Sequence, residues 1–110
     1  MRARANEAHI ISLSNTAAEL AAKIGKTATE VVAALLAIER HQARSQRAWE
    51  KQNDHERPEA ETARLEATET REAEKVAEIA ASLGLKTSWP GLYPSFTDAA
   101  GHSVIWYWGE

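Results

Sequence analysis

A chain of 110 residues with a formal net charge of −3 has room for one domain, but 22 of its residues are alanine, so large apolar side chains for a core are few. With no cysteine there are no disulfides, no thiolate metal sites and no cysteine nucleophile. No apolar run reaches the ~18 residues of a membrane-spanning helix, and no charged start leads into an apolar stretch and a small-residue cleavage site, so the expected setting is the cytoplasm, with no secretory leader and no membrane contact.

Residues 2–12 read as a short helix ending near Ile10, Ile11 and Leu13. Thr16-Ala-Ala-Glu19 has the spacing of a capping box and predicts a second helix from about Ala17 to Ile24, stopped by Gly25. Thr27-Ala-Thr-Glu30 is another capping box. The helix it opens carries Val31, Leu35 and Ile38 on one face, weakens through Gln42 and Ser45, and regains an apolar residue at Trp49; it is expected to end near Gln52. Residues 53–58 form a break. Pro58, Glu59 and Glu61 suit the first turn of a helix that reaches Leu83 through Leu65, Val76 and Ile79, with Gly84 and Leu85 as its C-terminal cap. Trp89-Pro-Gly91 is a turn. Ser95–Thr97 and His102–Trp108 flank Asp98-Ala-Ala-Gly101 as a β-hairpin with Gly101 at positive φ. In the second strand Val104, Trp106 and Trp108 share one face, and Ile105 and Tyr107 share the other. The face bearing Trp106 is the expected core face.

The fold class is therefore α+β, mainly α: an N-terminal helical unit, a long antiparallel helical hairpin and a C-terminal β-hairpin. Within a single domain over 1–110, residues 1–38 form a helix-turn-helix-like unit and 39–75 a polar hairpin arm. Residues 76–110 hold the helix end and the aromatic β-hairpin. The arm contains only two large apolar residues, Trp49 and Leu65, too few to fold by itself. Folding the long helices back at residues 53–58 sets Leu35 against Val76, Val32 against Ile79, and Trp49 near Thr62 and Leu65. It also turns Arg40, Arg44 and Arg47 toward Glu66, Glu69 and Glu72. That register predicts an apolar base, a charge-paired shaft and an aromatic tip.

The common catalytic patterns are absent. Gly25-Lys-Thr27 lacks the glycine five residues earlier that a phosphate loop needs; Leu20 stands there. The histidines at 9, 41, 55 and 102 have no metal-ligand spacing, and the carboxylates of 59–78 form a charged helix face rather than an acid–base pair. There is no Gly-x-Ser-x-Gly motif. The expectation is a protein that is not an enzyme, with no catalytic or metal-binding residues, no cofactor and no small-molecule substrate.

Two groups remain as candidate contacts. Trp49, Tyr93, Ile105 and Tyr107 are aromatic or apolar residues that the small core does not require, and they suit a protein partner or self-association, since Trp and Tyr dominate interface hot spots. Arg40, Arg44, Arg47 and Lys51 recur every three to four residues and would make a stripe able to touch nucleic-acid phosphates, with pairing to the acidic helix the favoured use.

The stretch Ala17–Leu36, with Leu20, Ala21 and Ile24, Gly25 at the turn and Val31, resembles a helix-turn-helix and the small helical domain that opens bacterial translation initiation factors. Lys26 stands where the motif usually has an apolar residue, and the second helix opens without Arg, Asn or Gln to read bases. The order of elements is similar to that of phage small terminase subunits, which assemble as rings on DNA; by that resemblance the chain would be a DNA-associated packaging subunit or regulator. The favoured reading is a non-enzymatic macromolecule-binding protein of bacterial or phage origin that works through protein contacts as an oligomer. DNA association is the alternative, and a small mobile-element inhibitor of a host defence protein is a third.

Overall fold

A computed structural model describes residues 2–54, 56–91 and 93–106, with side chains from Glu7 onward. The elements in chain order are α1 (Arg2–Ile24), α2 (Ala28–Asp54), α3 (Glu59–Ser82), β1 (Lys86–Ser88), β2 (Ser95–Thr97) and β3 (Ser103–Val104). The protein is mainly helical, with a small antiparallel sheet in the order β1-β2-β3. Phe96 is central to the sheet, opposite Thr87 on one side and Val104 on the other.

The first helix corrects the expectation of two. Thr16 is not a cap. It lies inside a continuous helix of 23 residues, buried, and its hydroxyl donates to the backbone oxygen of Ile105 at 3.1 Å. Leu13, Ala17 and Leu20 form an unbroken buried stripe through the position where a break was expected, and no Gly or Pro interrupts it. The helix stops at Gly25, whose φ of +72° only glycine adopts freely.

The Thr27 capping box forms as read. The Glu30 amide donates to the Thr27 hydroxyl at 3.1 Å, and the Thr27 amide donates to the Glu30 carboxylate at 2.9 Å. α2 then buries Val31, Leu35 and Ile38, followed by Gln42, Ser45 and Ala48. α3 buries Val76 and Ala80 near its end, and the Leu85 amide closes the helix on the Ala80 carbonyl around Gly84. The core lies at the base of the helical hairpin. There Leu13, Leu20, Val31, Leu35, Ile38, Val76 and Leu83 meet Phe96 and Trp106.

The C-terminal hairpin is shorter than expected, because among the described residues of its second strand only Ser103–Val104 pair as strand. The chain instead forms an additional strand, β1, from a Lys-Thr-Ser segment with no apolar alternation. Trp106 is 4% exposed and stacks on Phe96 with ring centroids 5.3 Å apart. Its indole N–H donates to Glu39 of α2 at 2.9 Å, and the other oxygen of that carboxylate lies 2.9 Å from Nε2 of His9. Glu39 thus ties α1 and the C-terminal segment to α2. Ile105, pointing the other way, is 80% exposed. Tyr107 and Trp108 lie outside the described residues, as does His55.

Candidate binding groove

Beyond the base, the seam between α2 and α3 changes chemistry while keeping its period. On α2, Leu35, Ile38, Gln42 and Ser45 follow at alternating steps of three and four, the spacing that holds one helix face against a partner. Glu69, Glu72 and Val76 do the same on α3. Polar residues therefore occupy seam positions along the arm. The Ser45 hydroxyl donates to the Glu69 backbone carbonyl at 3.0 Å, and the Gln52 amide donates to the Glu69 carboxylate at 2.9 Å. His41 Nδ1 pairs with Glu72.

These contacts replace the expected arginine–glutamate ladder. Arg44 reaches Glu72 at 4.0 Å, the outer limit of an ion pair, whereas Arg40 and Arg47 are exposed and make no ion pair with α3. The register explains part of this. His41 meets Glu72 and Ser45 meets Glu69, two to three residues further along α3 than the fold-back register predicts. The shorter side chains of His41, Ser45 and Gln52 fill the seam, and the arginines remain on the solvent side of α2, as does Lys51, in the helix's last turn.

Small residues on α3 leave a concavity beside this seam. Ala73 and Ala77 belong to the lining of a groove of about 580 Å³, together with Trp49 of α2 and Trp89 from the turn after β1. Trp49 is 41% exposed and Trp89 42%. Two large indoles thus leave much of their surface to solvent beside a depression that Ala73 and Ala77 help to open. Glu69 and Glu74 also line the groove, and among the described residues no Lys or Arg does. Glu69 is held by Gln52, whereas Glu74 is exposed.

Of the four residues read as protein contacts, three are described, and the groove takes one of them. Trp49 lines the groove; Tyr93, 47% exposed, sits in the loop between β1 and β2, and neither it nor Ile105 lines the groove. Tyr107 is outside the described residues. The residue that sequence reasoning left out of the candidate set is Trp89. Its signal was present in the Trp89-Pro90-Gly91 turn, but only the fold brings that turn beside α2 and α3. The helix-turn-helix-like stretch maps onto the end of α1, the Gly25 turn and the start of α2, with Leu20, Ala21 and Val31 buried.

Among the described residues no three His, Cys, Asp or Glu side chains come together to hold a metal ion, and no helix is long and apolar enough to cross a membrane. Comparison with protein-family models, with curated proteins and with solved structures found no match to this chain.

Proposed function

We propose that this protein acts without catalysis, by binding another protein in the groove between Trp49 and Trp89. One observation carries the reading: two tryptophans, each about two-fifths exposed, line a 580 Å³ depression together with Ala73 and Ala77. Tryptophan supplies large contact area at low entropic cost and is over-represented among the few residues that dominate interface energies. The groove also lies outside the main core, so an occupant can enter without disturbing the fold.

The test places a photo-reactive side chain at Gln46, on the groove wall, in cells that express the chain. A discrete protein adduct that disappears in Trp89→Ala, with the circular dichroism of that variant unchanged, supports the reading. Adducts indifferent to Trp89, or none, overturn it.

A second reading draws on a separate observation. Arg40, Arg44, Arg47 and Lys51 are all exposed on α2, and a stripe of this kind can contact phosphates. If the chain binds DNA, Arg44→Ala with Arg47→Ala weakens binding to all sequences alike and flattens its salt dependence in a shift assay at two salt concentrations. Loss confined to one base position would show direct sequence reading instead.

A further inference from the structure

We infer that the groove is built for a cationic side chain, and that the partner presents a lysine or arginine to it from an exposed peptide segment. This inference rests on the protein-binding reading above and specifies the chemistry of the occupant. The argument is one of charge complementarity. Trp49 and Trp89 offer indole rings, whose faces carry the negative lobe of the ring quadrupole and attract an ammonium or guanidinium group. Two carboxylates, Glu69 and Glu74, line the same groove, and among the described residues no Lys or Arg lines it to neutralise them.

The two features act on different parts of one side chain. Lysine and arginine carry an apolar stem and a charged head. Ala73 and Ala77 give the stem a shallow apolar floor. The rings and the carboxylates then meet the head. An acidic segment would set its charge against Glu69 and Glu74. A purely apolar segment would cover these carboxylates without a partner, and burying an unpaired charge is costly. Glu69 is already oriented by the Gln52 amide at 2.9 Å. Glu74, exposed, is free to turn toward an incoming cation.

The experiment selects random heptapeptides displayed on particles against the full chain and removes those that also bind Trp89→Ala. Trp89 is 42% exposed, so its replacement leaves the core intact, and circular dichroism checks this. The expected survivors share a Lys or Arg. Replacing that residue with Met in a synthetic peptide is expected to weaken binding about tenfold, as judged by quenching of tryptophan fluorescence. Glu74→Gln is expected to weaken it roughly threefold and to reduce its salt dependence. Survivors that lack a cation, or binding indifferent to both replacements, overturn the inference while leaving a protein-binding groove in place. If no peptide depends on Trp89, the inference and the reading beneath it both fall.

Discussion

Trp106 concentrates several kinds of contact in one side chain. It is buried, it stacks on Phe96, and its indole N–H is satisfied by Glu39. Removing a buried ring of this size typically costs about 3–5 kcal/mol, so Trp106→Ala is expected to lower stability by roughly that amount in urea unfolding. Ile105, one residue earlier and 80% exposed, contributes little to the fold, and Ile105→Ala should leave the unfolding midpoint where it is. Equal losses in the two variants would contradict the assignment of faces. Asp98 makes a second residue-scale prediction. Its carboxylate accepts the backbone amides of His102 and Ala100 at 2.9 and 3.0 Å and faces Lys23 at 3.3 Å. The His102 amide bond is the main reason its pKa is held below the usual aspartate value; Lys23 and the nearby His102 side chain reinforce the effect. A carboxyl group whose pKa is depressed by folding contributes stability that is fully present above its unfolded pKa and is lost as pH falls through the lower, folded one. The unfolding midpoint should therefore decline on acidification below the ordinary carboxylate range, and Asp98→Asn should make that decline shallower. An unchanged slope would show that the turn contributes nothing to acid sensitivity.

At the scale of the elements, the hairpin arm is predicted to be the first part of the molecule to open. Its seam is polar: His41, Ser45 and Gln52 stand where the base has apolar residues, and Arg44, more than half exposed, adds only a weak pair with Glu72. Ala48 is buried and Leu65 half-buried along it, against an unbroken apolar stripe at the base. Amide exchange should be fast over residues 46–54 and 59–66 and slow over 31–38 and 76–83; uniform protection along both helices in a monomer would refute this. The contrast between base and arm was legible in the sequence, because Val31, Leu35, Ile38, Val76 and Leu83 keep helical spacing and the stretch between holds almost no large apolar residue. The caps at Thr27 and Gly84 were legible too, since their chemistry is local. Thr16 misled for the same reason in reverse. A capping box is a local signal, and the partner its hydroxyl takes, the Ile105 carbonyl, is 89 residues away. β1 was invisible because Lys86, Thr87 and Ser88 carry no alternation, and only pairing with β2 makes them a strand. The groove was half legible. Trp49 stood out as an aromatic in a polar arm, whereas its pairing with Trp89 depends on how the turn after β1 is carried back against the helices.

At the scale of the whole molecule, the concentration of core at one end implies that the base is the folding unit and the arm an extension of it. The described core joins the second half of α1, the start of α2, the end of α3 and the sheet, and the buried Leu13, Val31, Leu35, Ile38, Val76, Phe96 and Trp106 all belong to it. Nothing in that cluster comes from beyond Ile38 on α2 or before Val76 on α3. The seam period supplies a way to test this without disturbing the base. Removing residues 46–52 from α2 and 62–68 from α3 deletes seven residues, two helical turns, from each side. It shortens the arm by about 10 Å and leaves Ser45 opposite the Glu69 carbonyl. The shortened chain should unfold cooperatively, with a loss of stability smaller than that of Leu35→Ala, which empties a fully buried position in the base and is expected to cost about 2–5 kcal/mol. It should also lose any binding that depends on Trp89, because Trp49, one wall of the groove, leaves with the deleted segment. A shortened chain that no longer unfolds cooperatively would mean that the deleted part of the arm, which includes the Gln52 contact to Glu69, is part of what holds the base together.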